Sequence, residues 1–382
     1  MNKELKKFTP RLVWFIFPYV LISVFTVLVF YKSGEIFWFK KTITAQSIER
    51  RNFIYGAAYS NLPNNFRLVA MEISSPKIIA LGSSRVLQFR SAFFKDSISF
   101  YTTGGVFKRL EQLRVFLESL PEESLPQSII LGLDQWWFNA QYDSMIKIKN
   151  DLIYNKYSWI DNWSGIEYWQ KFYSDLWHGK IELKKIWANN YSDVEYFGIS
   201  ARMSGFGYRK DGSRAYGNII SEGTTIKSRI ASAIDSAKSN SGIFQWTNSI
   251  DKNSLNELRI LLRFCKKHKI AITGFLPPID VLVWSELKKQ PAHFPHFFNL
   301  YNQLFPIFRD YGFHVYDFSN PENYGSNTFE MVDAVHGSEK SFLKLYLELL
   351  RSDTYLNQYS DSTFLKTELN KTKGNFDVFG NK

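Results

Sequence analysis

A single cysteine, Cys265, in 382 residues excludes an intramolecular disulfide and any cysteine-based zinc site. Set among leucines at helical spacing, it reads as a small buried apolar residue. His178, His268, His293, His296 and His314 show no metal-ligand grouping. His293 and His296 stand three apart but lack a third ligand, so no metal and no cofactor is expected. The chain has no internal repeat and no low-complexity tract. It has no basic run interleaved with a nucleic-acid motif, and nucleic acid is not an expected partner. With 22% charged residues the composition is not that of a disordered chain.

What the sequence does have is apolar and basic. Apolar residues make up 45% and aromatics 17%, including 11 Trp, enough for a full core. The net charge of +11 favours anionic partners such as phospholipid head groups or acidic polymers. Leu12 to Tyr31 carries no charge at all. About 20 apolar residues at 1.5 Å rise cross a hydrocarbon core of ~30 Å, so a transmembrane helix is expected over 12–31. Trp14, Tyr19 and Tyr31 fit interfacial anchors. A cleavable signal would be shorter, with its small-residue site close behind; Ala45-Gln46-Ser47 lies too far downstream. Both flanks are basic, so charge alone does not orient the helix. Long domains translocate regardless of charge, which places residues 1–11 in the cytoplasm and the rest outside it.

Residues 32–70 read as a polar and aromatic connector. A regular alternation follows over 71–351. Short apolar runs at Lys77–Leu81, Ser97–Tyr101, Ser128–Leu133, Ile270–Leu276 and His314–Phe318 read as buried strands. Between them, Phe107, Leu110, Leu113, Phe116, Leu117 and Leu120 follow helical spacing. Leu255, Leu258, Leu262 and Cys265 do the same behind a capping-box pair, Ser254 and Glu257. An aromatic helical stretch covers 294–311, and a last helix starts near Ser338 with Phe342, Leu345, Leu349 and Leu350 on one face. Strands alternating with helices predict an α/β fold with a mostly parallel five-stranded sheet flanked by helices. Residues 136–250 interrupt the rhythm and hold most of the Trp, among them Trp159, Trp163, Trp169, Trp177 and Trp187. They read as an insertion that covers or lines a site. Residues 352–382 read as a loosely ordered polar tail.

Ligands of open parallel sheets bind at the carboxyl ends of the strands. Gly82-Ser83-Ser84-Arg85 closes the first strand, Gly104-Gly105 the second and Gly132-Leu133-Asp134 the third. A serine on a tight strand-to-helix turn exposes its hydroxyl, and its N–H can serve an oxyanion. A glycine at the neighbouring turn offers another N–H at close approach. Among the six histidines only His336 has a carboxylate, Asp333, three residues before it in a turn-like context. That spacing suits one side of a helical turn, so Asp333 can hold the imidazole while His336 takes the serine proton. Ser84, Asp333 and His336 are thus the candidate catalytic residues, with Ser84, Gly104 and Gly105 as oxyanion donors. Arg85, Asp134, Gln135 and Trp136 are candidate substrate contacts. Arg209-Lys210-Asp211-Gly212-Ser213-Arg214 reads as a solvated charged loop from which Arg209 could reach a polar substrate.

The order of these blocks resembles the SGNH (GDSL-type) hydrolase superfamily, a flavodoxin-like α/β fold. Its blocks are Gly-Asp-Ser, a Gly, Gly-x-Asn and Asp-x-x-His. Gly82-Ser83-Ser84 is similar to the first block, which makes Ser84 rather than Ser83 the nucleophile. Gly104 or Gly105 matches the second, and Asp333 with His336 the last. Asp134 departs from the Asn of the third block, and an ionised Asp cannot donate to an oxyanion. Gly-Ser-Ser and Gln135-Trp136 look most like membrane-anchored bacterial members, the DltD-like and alginate O-acetylation proteins. The resemblance implies acyl transfer to a cell-surface polysaccharide beside a membrane-bound O-acyltransferase, from an inner-membrane anchor with the domain outside the cytoplasm. The alternative expectation is a non-catalytic partner that binds polysaccharide or the acyltransferase.

Overall fold

The computed structural model describes residues 3–36, 52–60, 66–145, 166–188, 194–218 and 223–380. Nine strands fall in this range: β1 (Asn52–Tyr55), β2 (Ile78–Leu81), β3 (Phe100–Thr102), β4 (Ser128–Gly132), β5 (Val194–Phe197), β6 (Gly207–Arg209), β7 (Arg214–Ala215), β8 (Ala271–Leu276) and β9 (His314–Asp317). The five expected strands make one sheet in the order β3-β2-β4-β8-β9, and every neighbouring pair is parallel. Four have slightly shorter bounds, and the one expected at 97–101 is shifted to Phe100–Thr102 behind a 3-10 turn at Ser97–Ser99. Counted along the chain within that sheet, the order is 2-1-3-4-5, and the direction of winding reverses between β2 and β4. Such a reversal opens a crevice at the carboxyl ends of the two strands it separates.

The apolar runs are continuous because both faces of this sheet are covered. Ile79, Leu81, Ile129 and Leu131 face one core, built with the helices Leu110–Glu118, Lys252–Lys267 and Leu300–Tyr311. Ile78, Ala80 and Ile130 face the other, built with the helix Glu339–Ser352. Alternate residues of one strand thus serve two cores, as the period of two requires. Asp251, not Ser254, caps the helix Lys252–Lys267. Its carboxylate accepts the N–H of Asn253 and of Ser254, while the Ser254 hydroxyl donates back to Asp251 and to the Trp137 carbonyl. An acidic N-cap satisfies two orphan donors and meets the helix dipole favourably. The expected 294–311 helical stretch is two helices, Pro295–Phe298 and Leu300–Tyr311, separated at Asn299, with Pro306 inside the second.

The N-terminal helix runs Lys3–Ser33, and its 24 residues Pro10–Ser33 are long and apolar enough to cross a membrane. Apolar side chains from Phe8 to Val24 are exposed, whereas Val29, Phe30 and Ser33 at its end are buried. Phe30 packs against Tyr59 and, edge to face, Phe172 at 5.0 Å. Just past the helix, buried Glu35 accepts the N–H groups of Ala58, Tyr59 and Ile199. The helix end is therefore fixed to the domain.

The insertion builds a second sheet, β5-β1-β6-β7. β1 belongs to it, parallel to β5 and antiparallel to β6, so the expected connector is partly structural. Trp159 and Trp163 lie outside the described residues. The expected loose tail is instead docked. Helices Thr354–Tyr359 and Ser362–Lys371 are capped by Asp353 and Asp361, and Leu356, Leu365 and Phe379 join the second core.

Candidate active site

Ser84 sits directly past β2, at the winding reversal. Ser83 caps the short 3-10 turn Ser84–Val86, its hydroxyl accepting the Arg85 N–H at 3.2 Å. This turn leaves Ser84 half-buried with its hydroxyl outward. From 252 residues away, His336 Nε2 lies 2.7 Å from Ser84 Oγ. On the other side of the ring, Nδ1 lies 2.9 Å from each oxygen of Asp333. A neutral imidazole so placed carries its proton on Nδ1, toward the carboxylate, and presents the Nε2 lone pair to the hydroxyl.

Residues 331–337 do not form the expected helical turn. They make a loop closed by a bridge between Met331 and Gly337 and by Val332 N–H donating to the His336 carbonyl at 2.8 Å. Asp333 Oδ1 accepts the N–H of Val335 and of His336, both at 2.9 Å. An Asx turn, not a helix face, brings Asp and His together. Burial pushes the Asp333 carboxyl up, but His336 and the two backbone N–H groups outweigh it and hold it down at about 2. Asp333 therefore stays ionised throughout the range in which a histidine base works.

Gly104 and Gly105 lie beside this turn. A Cβ on Gly104 would come within 2.6 Å of the Ser83 carbonyl oxygen, so only glycine allows the two loops to touch. Gly105 has φ +95°, a left-handed conformation suited to glycine. Among the described residues, neither the Ser84 nor the Gly105 N–H donates to a protein acceptor. Both remain available to a developing oxyanion.

The candidate substrate contacts are placed elsewhere than expected. Arg85 is 1% exposed, with its donors committed. It bonds Gln135 Oε1 at 2.7 Å, the Pro278 carbonyl at 2.6 Å and the Val335 carbonyl at 3.0 Å, pairs with Asp134 at 3.4 Å, and lies over the Trp136 ring. It ties the ends of β2, β4 and β8 to the His336 loop. Burial pushes its guanidinium down to about 10, offset in part by Asp134. Asp134 is buried beneath the site; burial raises its pKa, against the Arg85 charge and the Ser83 hydroxyl. Gln135 is also fully buried, its amide donating to the Pro277 carbonyl and Ser319 Oγ. Trp136 is buried as well. These four residues support the site from below, because all four are buried and the polar groups of Arg85 and Gln135 are bonded to neighbouring loops.

Arg209 is likewise not a solvated contact. The charged loop is the turn of the β6–β7 hairpin, with Asp211 and Arg209 buried. Arg209 donates to the Arg214 carbonyl at 2.6 Å, and burial pushes it down to about 10. The residues that the hairpin brings toward the site are Tyr208, Arg214 and Tyr216. The sequence pattern singles out Arg214 only as the end of the charged loop and does not mark Tyr208 or Tyr216, although aromatic flanks around Asp211-Gly212 are a hairpin signal.

Asp134→Asn is expected to give no gain in activity and to lower it, because Asp134 pairs with Arg85 and is not an oxyanion donor. A rise of about tenfold or more, worth ~1.4 kcal/mol in the transition state, would show that a missing donor was limiting.

The chain matches no protein-family model, and no curated protein matches it in sequence. The arrangement of these residues therefore carries the functional argument.

Proposed function

We propose that this chain is a membrane-anchored serine acyltransferase or esterase of the SGNH kind, serving the O-acetylation of a cell-surface polysaccharide. The observation that carries the reading is the hydrogen-bonded series Ser84–His336–Asp333, with links of 2.7 and 2.9 Å. Such a series fits nucleophilic acyl chemistry. His336 Nε2 takes the Ser84 proton as the hydroxyl oxygen attacks the carbonyl carbon of an ester or thioester. The N–H groups of Ser84 and Gly105 hold the resulting oxyanion. The intermediate collapses with loss of the alcohol or thiol, which leaves with the proton from His336. A sugar hydroxyl then attacks the acyl-serine, giving up its proton to His336, and Ser84 is restored. Water in place of the sugar makes the same cycle an ester hydrolysis.

The N-terminal helix supports membrane anchoring, and an inner-membrane location with the domain outside the cytoplasm is what the SGNH resemblance implies. The residues around its domain-side end fit membrane anchoring: Trp177 is 89% exposed and Trp187 half exposed, among exposed Lys180 and Lys184. Tryptophan and lysine of this kind suit a headgroup layer. A membrane-bound O-acyltransferase is the partner that would supply the acyl group.

The test uses the full chain in detergent micelles with p-nitrophenyl acetate. A burst of p-nitrophenolate stoichiometric with protein, then slower turnover, is expected for an acyl-enzyme. Release no faster than in buffer contradicts it and leaves the non-catalytic partner.

A further inference from the structure

We infer that Arg214 makes the rim of the Ser84 site a binding position for an anionic group, a carboxylate or a phosphate carried by the sugar that bears or accepts the acyl group. This inference rests on the acyl-serine reading and adds a substrate class to it.

Position comes first. The Arg214 N–H donates to the Leu87 carbonyl at 2.9 Å, and the Arg214 carbonyl accepts from Gln88 Nε2 at 3.1 Å. Its strand is thereby tied to the segment that follows the Ser84 turn. The guanidinium donates to the Tyr208 hydroxyl at 2.5 Å. That hydroxyl lies 3.5 Å from where a Cβ on Gly105 would stand, at the mouth of the glycine loop. Tyr216, two residues further on, is within electrostatic reach of both Arg214 and Asp333.

Charge comes second. The other arginines of this region are committed. Arg85 pairs with Asp134, and Arg90 with Glu339 and Asp211. Arg67 donates to Tyr101, to the Thr102 carbonyl and to the Gly212 carbonyl. Arg209 is buried and bonded to the Arg214 carbonyl. Arg214 differs. It is half-buried, and among the described residues no carboxylate lies within ion-pair distance of it. Its guanidinium stands 4.1 Å from the Phe206 ring centroid and 4.7 Å from that of Tyr208.

Two aromatic faces and one phenol hold the fork in place without neutralising it. A guanidinium fixed in advance loses little freedom on binding. Its remaining N–H donors suit a planar carboxylate or a phosphate in bidentate fashion.

The experiment uses the full chain in micelles with three acetylated oligosaccharides of equal length: neutral, uronate-bearing and phosphate-bearing. For wild type, kcat/KM is expected to be higher for an anionic ester than for the neutral one. Arg214→Gln is expected to lower that ratio about tenfold, and Arg214→Lys to restore part of it. Whichever anionic ester loses its advantage identifies the group as carboxylate or phosphate. Binding of the deacetylated oligosaccharides gives a readout independent of turnover, with the anionic preference kept in Ser84→Ala and lost in Arg214→Gln. If Arg214→Gln lowers all three esters equally, or leaves the ratio and the binding preference intact, the inference is overturned. Turnover of all three esters that persists in Ser84→Ala would instead overturn the acyl-serine reading itself.

Discussion

Ser84→Ala is expected to abolish acylation of the surface polymer in a deletion strain complemented with the variant, while Ser83→Ala only weakens it. The two hydroxyls are neighbours with different tasks. Ser84 Oγ faces His336 Nε2 at 2.7 Å. Removing a triad nucleophile costs ~10⁶-fold in kcat in a well-developed site, so polymer acyl content should fall below detection. Ser83 is a cap: its hydroxyl accepts the Arg85 N–H and supports Asp134. Loss of a cap costs ~1 kcal/mol, so the turn should persist with reduced precision. Acyl content of the extracted polymer is the measurement, with both variants shown to be folded. Equal loss from both would leave the nucleophile unassigned.

Arg90→Met is expected to be the most destabilising single change away from the site, at about 3–5 kcal/mol. Arg90 is 0% exposed and faces two buried carboxylates, Glu339 at 2.7 Å and Asp211 at 3.4 Å. It also donates to the Gly380 carbonyl, while Glu339 accepts the Phe379 N–H. Burial pushes Asp211 up, yet the Arg90 charge, the Ser213 hydroxyl and the Ser91 N–H hold it below its ordinary value. Without the guanidinium, both acids are left in a low-dielectric interior. The hairpin, the last long helix and the tail should loosen together. The expected readouts are a fall in Tm on the order of 10 °C and faster proteolysis after residue 352. Arg114→Met is the comparison. Its ion pairs with Glu118 and Glu257 are solvent-accessible, and such pairs contribute under about 1 kcal/mol each. Similar losses from the two changes would contradict the buried-cluster argument.

The central sheet was legible in the sequence because each of its strands supplies two cores. Ile78 to Leu81 and Ile129 to Leu131 show no polar alternation, which is what a doubly covered parallel strand looks like. Ser84, Asp333 and His336 were legible through chain order, since each lies at a strand end or before the last helix. The second sheet was not. Its strands are two to four residues long, half exposed in part, and β1 pairs with β5 across about 140 residues. No local period marks such a pairing. The docking of the tail is not visible in composition, because three apolar residues and a distant charge cluster hold it and an average hides them. The arginines were misassigned for a related reason. Spacing does not tell a guanidinium enclosed by carbonyls, like that of Arg85, from one held open, like that of Arg214.

Covalent labelling of Ser84 by a fluorophosphonate tests the central claim most directly. The reagent phosphonylates a serine only where a base removes its proton and an oxyanion site accepts the phosphoryl oxygen. The full chain in micelles is expected to gain one adduct, mapped to the peptide that contains Ser84. His336→Ala is expected to slow labelling by several orders of magnitude. Absence of an adduct on folded wild-type protein, or labelling at the same rate without His336, would contradict the account.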